Sequence, residues 1–572
     1  MRHHRSVAVI TFACIFAGLS ASTAFAAAAS ASRVEVQFPA AVHSGPITGR
    51  IIVTIRRAGE SDRVAGPIFG QDVSALQPGQ HAIVDQRARG YPLKSLSDLP
   101  PGDYTAQAIL NVYTRFPRSD GHVIWAHMDH WEGQQYRISP GNLYSTMQPF
   151  HVDAAHHFDV ALVLAHVIPP IKVPPDTMWV RHIRIRSALL TKFWGRPMYL
   201  GAVVLLPKGY ASHPRMQYPV VYYQDHFSLD APLGFSTEKG PPSAYDRWKR
   251  KANGVESDYQ FYRSWSSGHF PRVILVSFLH PTPYFDDSYA VNSANNGPYG
   301  DAIMTELIPY VETHFRIVRR PYARVLMGGS TGGWESLALQ LFHPGFFGGA
   351  WVLYPDPIDF HHYDLIDIYR DRNAFHARPA GGHPILDSFS DWNGWAPPPQ
   401  RVFMREANGQ PLMTVQEWSA MEAAEGTHSR SGNQFAIWNA VYGPVGADGY
   451  PEPLWDANGR IDHAVARYMR DHGYDLTYYT RTHWSKIGPQ LVGKLHFIVG
   501  DMDNFYLNLA VYDMQSFLEK TTHPYYAGSF EFGRPEKGHG WEPVTSAGLV
   551  KEMAAYILRR SPGNADKSWY GG

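Results

Sequence analysis

Hydrophobic patterning divides the chain into two regimes. From residue 33 to about 166, apolar and polar positions alternate. "VEVQF" (34–38), "GRIIVTIRR" (49–57) and the series Tyr104, Ala106, Ala108, Leu110 and Val112 put every second side chain on one face. That is the period of a half-buried strand. "LPPGDY" (Leu99–Tyr104) is a turn entering such a strand, and helical periodicity is absent. The pattern predicts an all-β, Ig-like sandwich over 33–166. The proline-rich run "HVIPPIKVPPDT" (His166–Thr177) closes it and predicts a linker at 167–177.

From residue 178 the runs change character. "WVRHIRIRS" and "MYLGAVVLLP" predict two antiparallel strands, followed by the buried strands "YPVVYYQ" and "RVILVSF". In "GPYGDAIMTELIPYVETHF", Ile303, Leu307, Ile308, Val311 and Phe315 form one apolar helical stripe. "GAWVLYP" and "KLHFIVGDMD" are later strands. Strands alternating with helices imply an α/β domain over 178–560, with a mostly parallel sheet covered on both faces. The stretch 357–487 has weak periodicity, carries Trp392, Trp395, Trp418, Trp438, Trp455 and Trp484, and is too long for a loop. It predicts an insertion covering the sheet's C-terminal edge and shaping a pocket there. Residues 561–572 read as a tail.

The first 26 residues follow neither regime. Arg2 and Arg5 precede an apolar core from Val7 to Leu19, and Ala24-Phe25-Ala26 is a cleavage-type site. This predicts a secretory signal peptide, a secreted or periplasmic mature protein, and no integral membrane segment after removal. The single cysteine, Cys14, lies inside that signal. Disulfides, thiolate catalysis and Cys-ligated zinc are thereby excluded from the mature chain. With 51 basic and 51 acidic residues and no long basic run, nucleic acid is not an expected partner. His122, His127 and His130 match no metal-ligand spacing and read as ordinary surface or core histidines; neither a metal nor an organic cofactor is expected. Nothing in the sequence sets an oligomeric state.

One turn carries chemistry. In "RVLMGGSTGGWESLALQ" (Arg324–Gln340), a short apolar strand runs into a helix patterned by Trp334, Leu337, Ala338 and Leu341. Ser330 stands between them, with Gly328 and Gly332 two positions either side. A serine at such an apex is held in strained backbone with its hydroxyl exposed, and flanking side chains would collide. A serine nucleophile needs a base, and the base needs an orienting acid. On this type of sheet the chain order is Ser, acid, His. "FIVGDMDNF" offers Asp503 in the loop beyond a strand end, with Asp501 as the competitor. "EKGHGWEPV" offers His539 between two glycines. An oxyanion would find one backbone donor at Thr331, at a helix N-terminus. The second would come from "DHFS" (225–228), with His226 and Phe227 as candidates.

Together, "YPVVYY", "GPYGDAIMTELIPYVETHF", "GGSTGGWESLALQLFHPGFFGGA", "VGDMD" and "KGHGW" resemble the esterase D-like branch of the α/β-hydrolase superfamily. That branch includes feruloyl and enterochelin esterases and mycolyltransferases. The resemblance covers about 180–360 and 490–545. It implies Ser330 as nucleophile, Asp503 as acid, His539 as base, and small-molecule, carbohydrate or siderophore-type esters as substrates. The chain departs from the pattern in reading Gln224-Asp225-His226-Phe227 where such esterases carry His-Gly, and in the length of its insertion. The expected activity is carboxylic ester hydrolysis. Acyl transfer or peptide cleavage would use the same residues, and a non-catalytic carbohydrate-binding protein on the same fold is the alternative of another class.

Overall fold

A computed structural model of the chain describes residues 32–60, 66–240, 256–377 and 400–570. The expected signal peptide, Trp392 and Trp395 lie outside these residues. The first region is built of short strands. They are β1 (Arg33–Gln37), β2 (Ile47–Arg57), β3 (Ile68–Leu76), β4 (Ala82–Val84), β5 (Arg89–Tyr91) and β6 (Gly102–Pro117). β7 (Val123–His127), β8 (Leu143–Tyr144), β9 (Gln148–Val152), β10 (Asp159–Val163) and β11 (His166–Val167) follow.

They form two sheets, one ordered β10-β1-β4 and the other β11-β8-β6-β2-β3-β5, with β7 and β9 also on β6. Alternation fixes their shared core. Val34, Val36 and Leu162 from the small sheet pack with Ile51, Val53 and Leu110 from the large one. The end of β6 leaves that core. Phe116, Ile124, Ala126 and Trp131 pack instead with the second region, so the sequence boundary at 167–177 is not a packing boundary.

The second region centres on an eight-stranded sheet. Its strands are β12 (Val180–Ser187), β13 (Met198–Leu205), β14 (Val220–Gln224) and β15 (Ile274–Leu279). After the short ribbon β16 (Asn292–Ser293) and β17 (Gly297–Pro298) comes β18 (Arg324–Ser330), then β19 (Gly349–Pro355). The hairpin β20 (Val402–Arg405) and β21 (Pro411–Thr414) lies outside the sheet, which ends with β22 (Leu495–Gly500) and β23 (Ser529–Gly533). The order is β12-β13-β15-β14-β18-β19-β22-β23. β13 pairs antiparallel to both neighbours and all other pairs are parallel.

Helices cover both faces: α1 (Ala188–Trp194), α2 (Asp258–Trp265), α3 (Tyr299–Ala302), α4 (Ile308–His314) and α5 (Thr331–Phe342) in the first half. The stripe predicted over 303–315 is present, but one π turn, Ile303–Leu307, joins α3 to α4. Pro309, which has no N–H to give the ladder, sits just beyond it. α6 (Val415–Glu425), α7 (Gln434–Tyr442), α8 (His463–Asp471) and α9 (Leu476–Leu491) fill the expected insertion, followed by α10 (Asn508–Leu518) and α11 (Ser546–Arg560). α9 packs against α5 and leads into β22. It therefore serves as a crossover helix of the sheet, and the covering segment ends before it. Among the described residues no helix is long and apolar enough to cross a membrane.

Candidate active site

β18 is buried up to Gly328 and then turns within one residue into α5. Ser330 takes that turn at φ 57° and ψ −124°, outside the regions a non-glycine residue ordinarily occupies. The turn lies against β14. A Cβ on Gly332 would stand 2.1 Å from the Gln224 carbonyl oxygen, and one on Gly328 would stand 2.4 Å from that of Gly332. Only glycine fits at both positions. Thr331 is buried at the N-terminus of α5, where backbone N–H groups are unpaired and the helix dipole is positive.

Asp503 follows β22 and is fully buried. Its Oδ2 lies 2.8 Å from Nδ1 of His539, and its Oδ1 accepts the backbone N–H of Phe505 at 2.9 Å. The His539 backbone N–H donates to Asn504 Oδ1 at 2.8 Å, which ties the two loops together. Asp501, the competing acid, instead accepts the backbone N–H of Lys537 at 3.2 Å. Ser330 and His539 line one cavity of about 210 Å³ at the C-terminal edge of the sheet. Phe403, Trp418, Gln434 and Trp438 line it too, so the stretch read as an insertion supplies much of its wall.

The Ser330 hydroxyl donates to Asp356 Oδ1 at 3.2 Å. Asp356 follows β19, one strand over. Its Oδ2 accepts the hydroxyls of Tyr289 (2.5 Å) and Thr331 (3.0 Å) and the amide of Gln434 (3.0 Å). Burial pushes the Asp356 carboxyl up, against the pull of Tyr289 and Thr331. The sequence reasoning missed Asp356, Asp364, Tyr289 and Gln434. The one available signal was "YPDPIDF", an acid directly after a predicted strand in the same register as Asp501 after its own.

His226 lies at the rim of the same cavity. Its backbone N–H donates to Asp225 Oδ1 at 2.9 Å, and its Nδ1 faces Asp286 (3.2 Å) and Asp287 (3.5 Å). Burial opposes the charge on the ring, but these two carboxylates outweigh it and hold the imidazolium well above the usual histidine range. These three are the only metal-type cluster among the described residues, with ligand atoms within 4.8 Å of one another. Nδ1 is already shared by the two carboxylates. Phe227 packs edge-on to Trp131 of the first region at 5.3 Å. Of the histidines in that region, His127 pairs with Glu132 at 2.8 Å and His122 with Asp120 at 3.3 Å.

A serine on a strand-to-helix turn, at the C-terminal edge of a mostly parallel sheet with one antiparallel strand, β13, towards one side, defines an α/β-hydrolase. The class is carboxylic ester hydrolase. Residues 197–380 match the Esterase family, described as "Putative esterase". The match includes Ser330 and stops short of Asp503 and His539. Among solved structures, a ferulic acid esterase is 13% identical with a TM-score of 0.33, over 66% of this chain and 97% of that one. The S-formylglutathione hydrolase of Staphylococcus aureus is 13% identical with a TM-score of 0.31, over 66% and 99%. The siderophore hydrolase of Aspergillus nidulans is 11% identical with a TM-score of 0.32, over 68% and 99%. No curated protein matches the chain by sequence.

Proposed function

We propose that the protein is an exported serine esterase that cleaves carboxylic esters through an acyl-enzyme on Ser330. The observation that carries this is the 2.8 Å hydrogen bond between His539 and Asp503 beside a cavity that Ser330 also lines. Asp503, buried and acceptor-only, fixes the tautomer with the proton on Nδ1 and turns Nε2 to the serine. In the resting enzyme the Ser330 hydroxyl is parked on Asp356. Rotation about χ1 carries it to His539 when an ester enters. Ser330 Oγ attacks the carbonyl carbon as its proton passes to Nε2. The tetrahedral oxyanion is met by the Thr331 N–H at the start of α5. The second donor is the Phe227 N–H, because that of His226 is engaged by Asp225. The imidazolium of His539 then gives its proton to the leaving alcohol, and water repeats the sequence on the acyl-enzyme.

The substrates are small-molecule or carbohydrate-type esters. Residues 1–26 direct export and are removed. The two sheets of residues 33–166 act as an Ig-like accessory sandwich, and residues 178–560 form the hydrolase domain. The test is labelling of the purified protein by a fluorophosphonate probe, with Ser330→Ala alongside. Labelling of wild type alone is expected. Equal labelling of both would remove Ser330 as nucleophile, and labelling of neither would favour the binding-protein alternative. Mass spectrometry of the mature N-terminus tests the export signal, with a start near residue 27 expected.

A further inference from the structure

The cavity beside Ser330 contains one more carboxyl group, and the ester chemistry has no use for it. Asp364 lines the cavity, is 1% exposed, and has neither oxygen bonded to a donor from the protein. A buried carboxyl group without partners is costly, by several kcal/mol. Its backbone is held at φ 57°, a conformation non-glycine residues seldom adopt. Burial, reinforced by the nearby carboxylates of Asp356 and Asp503, pushes the Asp364 carboxyl well above the usual carboxylate range, so the group is uncharged in the empty cavity. Asp356 cannot share donors, because Ser330, Thr331, Tyr289 and Gln434 already occupy it. Aromatic rings line the same cavity: Phe403, Trp418, Trp438 and Phe505. The indole N–H groups of both tryptophans are spent on Glu422 and Tyr289, so the rings bring apolar and π surface to the cavity rather than donors.

We propose that Asp364 is the specificity-determining residue of this cavity and receives a protonated primary amine carried by the substrate ester. A buried carboxyl group with both oxygens open, in a cavity also lined by aromatic rings, suits an ammonium group, whose charge would favour the ionised form of Asp364. Such a group brings three donors and a charge that ring faces attract. A hydroxyl brings one donor and no charge. The inference rests on the esterase reading of the same site.

Two ester series test it. In one, the acyl chain of a 4-nitrophenyl ester ends in ammonium (3-aminopropanoate), hydroxyl (3-hydroxypropanoate) or methyl (butanoate). In the other, the alcohol of a butanoate ester is 2-aminoethyl, 2-hydroxyethyl or propyl. In at least one series, kcat/KM for the ammonium ester is expected to exceed that of the methyl ester by about tenfold or more. Asp364→Asn is expected to bring that ratio to within about twofold. A hydroxyl ester cleaved as well as its ammonium counterpart in both series would overturn the assignment, as would a ratio that survives Asp364→Asn. Should the variant not fold, competitive inhibition of wild type by propylammonium against 1-butanol decides. Tighter inhibition by the cation supports the proposal, and equal inhibition overturns it. Hydrolysis of the methyl esters that survives Ser330→Ala would sink the esterase reading itself, and this one with it. Hydrolysis lost with Ser330 but without ammonium preference would sink the Asp364 assignment alone.

Discussion

The two β layers of this protein bury their apolar residues by opposite rules. Along β10 buried and exposed positions alternate at every step, whereas every residue of β19 is buried. A sheet with one wet face can carry polar side chains anywhere along its strands. A sheet covered by helices on both faces can carry them cheaply only where strands end and loops emerge. Ser330 ends β18, Asp356 follows β19 and Asp503 follows β22, so three polar groups from different strands meet at one rim. In the first region, buried ionic groups such as Arg50 and the pair His127–Glu132 are satisfied by neighbours of their own and by carbonyls. Those groups hold structure together. Burial on both faces is thus what concentrates reactive groups, and it does so without regard to their distance in sequence.

The largest test of that contrast lies at one strand end. Asp503→Asn should lower kcat on the order of 10³–10⁴-fold, because the amide no longer fixes the imidazole tautomer. Asp501→Asn, two residues away but bonded to the Lys537 backbone, should cost less than about tenfold. Comparable losses in the two variants would mean that the acid has been misassigned.

The next largest effect belongs to the seam between the layers. Trp131 comes from the first region, yet it packs on Gly201 of β13, on Phe227 and under the Arg184 guanidinium at 4.5 Å. Trp131→Ala should destabilise the protein by about 3–5 kcal/mol in urea unfolding, while kcat at 25 °C changes only a fewfold. If activity instead fell as far as in Asp503→Asn, the first region would belong to the chemistry and the contrast between the layers would fail.

Gly332→Ala probes the rim more finely. The new methyl must displace the Gln224 carbonyl, and a shift of about 1 Å at the nucleophile is worth about 100-fold in kcat. The melting temperature should fall with it, by the equivalent of about 1–3 kcal/mol for overpacking. Wild-type activity in this variant would show that the turn has room the structure denies it.

The same turn marks how far the sequence could be read. Gly328, Ser330 and Gly332 were legible because a strand-to-helix turn imposes fixed spacings over five residues. The succession of strands along the chain was legible in part, from apolar runs broken by turns. Asp356 and Asp364 were not, although both line the cavity. Their nearness to Ser330 depends on how the segment after β19 folds back over the sheet edge, and that path has no period. Gln434 and Trp438 come from still farther along, brought in by α7. For α7 the sequence shows an apolar run but gives no sign of the face turned to the site.

α7 itself supplies the smallest and most specific test. Its first turn is capped from a distance by Glu422 of α6, which accepts the backbone N–H groups of Phe435 (2.8 Å) and Ala436 (2.9 Å), the Trp418 indole and the Ser431 hydroxyl. α6 is gripped in turn by the first region, where Arg50 of β2 donates to the Ala423 and Ala424 carbonyls. Glu422 is therefore a point where the first region bears indirectly on the wall of the cavity. Burial outweighs the four donors and raises its carboxyl from about 4.5 to about 7. A raised carboxyl binds its proton more tightly in the folded state. Its contribution to stability is complete below about pH 4.5 and disappears as pH climbs through about 7. Glu422→Gln has no proton to lose. The stability of wild type relative to the variant should thus fall by about 2 kcal/mol between about pH 5.5 and 7.5, read by denaturant unfolding at each pH. A difference that stays flat over that range, or rises, would show that the donors and not burial set the charge of Glu422. The cap on α7 would then be an ordinary ionised one.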